Sequence, residues 1–256
     1  MSVKVACGVQ VWHNLPMHVF LINLDHDTGR LEAADKQLKS QSVAYERVSA
    51  VYGKGLADET KSAAINRFRW WCAVGRKPRD GEIGCALSHY GIYRKMIAES
   101  VPSACVLEDD VALDPRFAEA LATVEGVVDT SKAQVFLFSN HSSEQFVENG
   151  GNGISVKKSR GDRFADGYVL TCKAAQVLLE ENYPMHTPCD YWDRWVRHGA
   201  IELFHVFPIT VHQDRAAFGS STTHPGERLV KDYPLPFFLC HKFKRLVGLT
   251  IDRILG

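Results

Sequence analysis

Short apolar runs alternate with amphipathic ones along most of this chain, and that alternation restricts it to a layered α/β architecture. The segment "MHVFLINLD" (17–25) is β-rich and ends in polar residues, and "TGRLEAADKQLKS" (28–40) follows with Leu31, Ala34 and Leu38 at helical spacing. A second strand is predicted over 45–53, ending at a glycine. A long helix follows from Gly81 to about Ser100, with Asp80 as its N-cap and Glu82 in its first turn. Strand, helix, strand, strand and helix are read over "ACVLEDD", "RFAEALATVEG", "AQVFLFSN", "GYVLTC" and "KAAQVLLEEN", and the last strands over "AIELFHVFPITVH". In such a sheet, ligands collect at the carboxyl ends of the strands.

Bulk properties exclude several classes. The chain has 256 residues, 45% hydrophobic and 23% charged, enough for one substantial core. Thirty Lys plus Arg balance thirty Asp plus Glu, so no overall field gathers nucleic acid. Seven cysteines, never in C-x-x-C, argue against a disulfide framework or zinc knuckle and for a reduced, cytosolic compartment. No apolar run is long enough for a membrane span, and no signal-peptide pattern is read at the N-terminus. Residues 1–16 read as an extension, 17–235 as the main α/β domain and 236–256 as a tail. The Gly- and Ser-rich stretch 142–164 reads as a long loop or hairpin.

The chemistry concentrates in "CVLEDDVAL" (105–113), where Glu108, Asp109 and Asp110 stand together at a strand end. Each carboxylate raises the cost of ionising the next, so the triplet calls for a positive partner. Hard oxygen ligands suit Mg²⁺ or Mn²⁺, and a metal held there also takes diphosphate oxygens. The plainer reading is a solvated turn whose acids favour the helix starting after Asp114 and Pro115. The octet "VLEDDVAL" also resembles the opening of a phosphoacceptor receiver domain, but the later acceptor position of that family would fall in the glycine-rich stretch.

Four segments in order, "VFLINLDHDTGR", "RVSAVYG", "GEIGCALSHYGIYRKMI" and "CVLEDDVAL", resemble glycosyltransferase family 25, the lipopolysaccharide and collagen galactosyltransferase type. The resemblance implies a GT-A-like nucleotide-sugar-binding mixed sheet flanked by helices, a UDP-sugar donor, a divalent metal and inverting transfer. It implies a donor site at Asn23, Leu24, Arg30, Ala50, Gly53, Ser88, His89, Glu108 and Asp109, and a metal on Asp110 and Asp109 with His212 from a late strand. Other readings stay open: Arg30 as a surface charge, Ala50 and Gly53 as a tight turn, and His89 as a structural residue. Ser220 and Ser221 lie further along the same late segment. Asp190, in "HTPCDYWDRW", is the first candidate for the base that deprotonates the acceptor hydroxyl, with Asp193 and Asp166 as rivals. Tyr191, Trp192 and Trp195 are read as sugar-stacking candidates or as core.

The expected activity is transfer of galactose from UDP-galactose to a lipooligosaccharide or similar glycan. UDP-glucose is the alternative donor, and a non-catalytic nucleotide-sugar-binding protein is the alternative outside enzymes. In the tail, Leu239, Phe243, Leu246, Val247 and Ile254 gather on one side of a helix, and Lys242, Lys244, Arg245 and Arg253 add positive charge. That pattern suits an anionic membrane surface beside a glycolipid acceptor, or packing on the catalytic domain.

Overall fold

The computed structural model describes residues 17–139 and 153–214. The N-terminal extension, residues 142–152 of the glycine-rich stretch, Ser220, Ser221 and the amphipathic tail lie outside the described residues.

The core is a seven-stranded mixed sheet in the order β2-β1-β3-β7-β5-β8-β6, where β1 is His18–Asn23, β2 Glu46–Ser49, β3 Ser103–Glu108, β5 Gln134–Leu137, β6 Ser155–Ser159, β7 Gly167–Thr171 and β8 Glu202–Phe207. β4 (Val111–Leu113) and β9 (Val211–Gln213) form a separate antiparallel pair. β1 runs parallel to both β2 and β3, so their carboxyl ends open on one edge, with Ile22 opposite Glu108 and Asn23 opposite Ser49. β7 is antiparallel to β3, which delivers the start of β7 to that same edge.

Helices cover both faces. α1 (Thr28–Ser40) and α5 (Phe117–Val127) lie on one side, with Val19, Leu21, Cys105, Leu107 and Val169 pointing at them. α4 (Asp80–Ala98) and α6 (Cys172–Asn182) cover the other, against Phe20, Ile22, Ala104, Val106 and Leu170. Successive strand residues point to opposite faces, so one apolar run feeds two cores. The same alternation, carried past Val106 and Leu107, sends Glu108 toward α4 and Asp109 toward α1.

Several expectations shift. α4 begins at Asp80 with Arg79 as N-cap, one residue before the predicted cap, and Glu82 accepts the Arg79 N–H at 2.8 Å. α2 (Asp58–Ala63) and α3 (Arg67–Val74) occupy a stretch for which the pattern named no element. Within the predicted loop 142–164, β6 adds an edge strand antiparallel to β8, with exposed Lys158 along it, a charge that discourages edge pairing. Among the described residues no helix is long and apolar enough to cross a membrane.

One close approach fixes the floor of the site. A Cβ on Gly53 would meet the Asp80 carbonyl oxygen at 1.8 Å, and one on Gly84 would meet the Val51 carbonyl oxygen at 2.5 Å. The backbone after β2 therefore rides directly on α4, and the space at Gly53 serves the helix. Gly53→Ala is expected to destabilise the chain by about 1–3 kcal/mol through overpacking, read as a lower melting temperature. An unchanged melting temperature would show that the contact yields without strain.

Candidate active site

The shared edge of β1, β2 and β3 opens into a cleft with a cavity of about 520 Å³, within the ~300–1,000 Å³ typical of small-molecule sites. Asn23, Leu24, Arg30, Ala50, Gly53, Ser88, His89, Glu108, Asp109, Asp110, Asp166 and Asp190 all line it. The fold thus brings together every residue read as a donor contact, with Asp110 and two of the candidate bases.

Each member of the acidic triplet has its own surroundings. Asp109 is buried, and its oxygens accept from Asn23 Nδ2 at 2.6 Å and Arg30 Nη1 at 3.4 Å. Asn23 is held in turn by Arg47, whose Nε donates to its Oδ1 at 3.0 Å. Asp109, read from sequence as a metal ligand, therefore has protein donors on both oxygens. Arg30, in the first turn of α1, is also 3.7 Å from Asp110 Oδ2, so a side chain supplies part of the positive charge the triplet demands. Glu108 faces the other way, 3.3 Å from His89 Nε2.

Asp110 differs: its Oδ1 is buried without a hydrogen-bond partner. Burial, then the neighbouring Glu108 carboxylate, pushes its pKa up to about 6. Asp166 stands beside it just before β7, with its carbonyl accepting the Glu108 N–H at 2.9 Å and its Oδ1 accepting from Gln213 Nε2 at 3.0 Å. Burial and then the charges of Glu108 and Asp110 raise Asp166 to about 8. Arg30 thus leaves an excess of buried negative charge, and an orphaned carboxylate oxygen among hard donors fits a divalent cation such as Mn²⁺ or Mg²⁺.

His212 does not join this group. On β9 its side chain is exposed while its neighbour Gln213 lines the cleft, because adjacent strand residues face opposite ways. The late strand therefore contributes an amide to Asp166 where sequence placement had suggested an imidazole.

Two residues read as donor contacts are occupied internally. Ser88 Oγ donates to the Gly84 carbonyl at 2.8 Å and accepts the Val51 N–H at 2.8 Å, tying α4 to the segment after β2. His89 is fully buried, and its Nδ1 lies 2.7 Å from the Tyr168 hydroxyl.

Asp190 follows α6 in a turn before α7 (Trp192–Arg197) and lines the cleft. Burial lifts its pKa to about 6, close to the range in which a carboxylate works as a general base. Asp193 does not line the cleft; it pairs with Arg197 at 3.4 Å and Arg163 at 3.6 Å. Trp192 and Trp195 are core residues: Trp192 Nε1 donates to the Phe164 carbonyl at 2.6 Å, and its ring meets Tyr168 edge-on. The Arg163 guanidinium covers Tyr191, 4.2 Å from the ring centre.

Sequence reasoning missed the basic residues that help wall the cleft, Lys54, Arg76 and Arg79. Arg76 is braced by Glu82, with Nη1 2.7 Å from Oε2. For Arg76 and Arg79 the signal was present as basic residues immediately before α4.

A family model described as glycosyltransferase family 25 (LPS biosynthesis protein) matches residues 17–192, the segment that builds this cleft. The chain belongs to glycosyltransferase family 25. This family 25 chain is 26% identical over 226 residues to a putative glycosyltransferase, R655, of Acanthamoeba polyphaga mimivirus, covering 84% of this chain and 66% of that protein. It is 34% identical over 168 residues to procollagen galactosyltransferase 1-B of Xenopus laevis, covering 63% of this chain and 28% of that one. It therefore spans just under two thirds of the viral relative and little more than a quarter of the animal one. A solved glycosyltransferase involved in glycosylation of the major capsid of PBCV-1 matches over 65% of this chain and 68% of that one at 8% identity, but its TM-score of 0.32 is too low to carry an argument.

Proposed function

We propose that this family 25 chain transfers a hexose, galactose before glucose, from a UDP-sugar to a hydroxyl of a glycan acceptor, with inversion at the anomeric carbon. The observation that carries the reading is the buried, unpartnered Asp110 oxygen, set in a cleft that is lined both by acids and by Lys54, Arg76 and Arg79. The printed names of the procollagen galactosyltransferases favour galactose, and the family description's reference to lipopolysaccharide favours a surface glycan such as lipooligosaccharide.

In this reading Asp110, supported by Asp166, holds Mn²⁺ or Mg²⁺, which supplies positive charge to the departing diphosphate. Arg30 and Asn23 keep Asp109 oriented and hold the triplet in register. Leu24, Ala50 and Gly53 shape the apolar side where the nucleoside lies, and Lys54, Arg76 and Arg79 attract the phosphates. Asp190 accepts the proton of the acceptor hydroxyl as that oxygen attacks the anomeric carbon. The membrane-surface role of the tail remains a proposal of the same kind, carried by its basic amphipathic pattern.

A panel of UDP-sugars assayed for UDP release onto added glycan acceptors, with and without Mn²⁺, tests this reading. UDP-galactose with Mn²⁺ is expected to turn over fastest. Binding of UDP-sugars without any acceptor-dependent release would favour a non-catalytic sugar-nucleotide-binding protein.

A further inference from the structure

The wall of the cleft formed by α4 carries a second cluster of metal-binding side chains, different in kind from the acidic triplet. Cys85 and His89 sit one turn apart on α4 and so project from the same face. Cys189 arrives from the turn after α6, and Glu108 from the end of β3. The ligating atoms of Cys85, His89 and Cys189 all lie within 4.8 Å of one another.

Three of the spacings match edges of a coordination tetrahedron. With metal–sulfur bonds of ~2.3 Å and metal–nitrogen or metal–oxygen bonds of ~2.0 Å, tetrahedral geometry sets two sulfurs ~3.8 Å apart, a sulfur and an oxygen ~3.5 Å apart, and a nitrogen and an oxygen ~3.3 Å apart. The cleft has Cys85 Sγ 3.7 Å from Cys189 Sγ, Cys85 Sγ 3.7 Å from Glu108 Oε1, and His89 Nε2 3.3 Å from Glu108 Oε1.

The surroundings of the imidazole give an independent indication. A metal-binding histidine usually anchors its second ring nitrogen on a hydrogen-bonding partner, which fixes the ring. His89 Nδ1 lies 2.7 Å from the Tyr168 hydroxyl, itself 2.8 Å from the Tyr93 hydroxyl, so Nε2 is the atom turned to the cluster. His89 and Cys189 are buried, and Cys85 is partly so. Two sulfurs and an imidazole select a soft or borderline ion over Mg²⁺ or Mn²⁺.

We propose that Cys85, His89 and Cys189 bind one Zn²⁺, with the Glu108 carboxylate beside Cys85 and His89 at the edge of the cluster. Binding displaces the two thiol protons to solvent. The ion cross-links α4 and the turn that carries Asp190, so it acts as a positioning device for that turn. The inference goes beyond the proposed transfer activity and holds whether or not the chain transfers a sugar.

The test uses the full chain and reads metal directly. Protein purified under reducing conditions is expected to retain about one zinc per chain after desalting. When the zinc is replaced by Co²⁺, thiolate-to-metal charge-transfer absorption and the intense visible bands of tetrahedral cobalt should appear. Cys85→Ser and Cys189→Ser are expected to lower bound zinc at least tenfold, whereas Asp110→Asn, at the hard-oxygen site, keeps it. Co²⁺ titration of the unmodified chain needs no variant and decides the matter even if the serine variants fail to fold. Absence of charge-transfer absorption, zinc retention in both serine variants, or an isolated Cys85–Cys189 disulfide that excludes Co²⁺ would each overturn the proposal.

Discussion

Asp110→Asn is expected to reduce sugar transfer by ~10³-fold or more while leaving the chain folded. The substitution keeps the shape of the side chain but removes the anionic oxygen that has no protein partner. A divalent ion at a leaving diphosphate supplies several kcal/mol of charge stabilisation, and each 1.36 kcal/mol is tenfold in rate. The fold should not suffer, because Asp110 is buried beside Glu108 and its ionised form is disfavoured there. Removing a like charge relieves the metal-free protein, so its melting temperature should hold or rise. Mn²⁺ is expected to raise the melting temperature of the unmodified chain, by mass action on the folded state, and to do so far less for Asp110→Asn. Full activity in excess chelator, or in the Asn variant, would remove the metal from the reading.

Asp190→Asn is expected to lower kcat by ~10²–10⁴-fold, the usual contribution of a positioned general base. The KM for the UDP-sugar should change little, because Lys54, Arg76 and Arg79 are untouched. Asp193 lies outside the cleft and pairs with Arg163 and Arg197, so Asp193→Asn is expected to retain turnover. Asp166 is the competing acid within the cleft, but burial and its neighbours hold it largely protonated near neutral pH in the metal-free chain. Single-turnover assays of the three Asn variants separate these roles. Normal turnover in Asp190→Asn with loss in Asp166→Asn would transfer the base to Asp166.

Much of this was legible before any coordinates. Periodicity alone located α1, α5, α6 and the central strands, since each buries a regular apolar face that a sequence displays directly. The strand end carrying Glu108, Asp109 and Asp110 was equally visible, because three acids directly after an apolar run need a counter-charge. Less visible were α2 and α3, short helices that depend on tertiary packing more than on a pattern of their own.

What only the tertiary structure decided is which atoms meet. Three adjacent carboxylates look alike in sequence, yet strand alternation turns Glu108 to Cys85 and His89 on α4 and Asp109 to Asn23 and Arg30 by α1, while Asp110, in the turn beyond, has a buried oxygen without a partner. The same alternation exposed His212 and brought Gln213 into the cleft. Cys85 and Cys189 are 104 positions apart, and nothing local to either marks the other. Local periodicity determines which elements form and which face they bury; the meeting of distant side chains depends on sheet order and register, which arise from long-range pairings that a linear pattern does not encode.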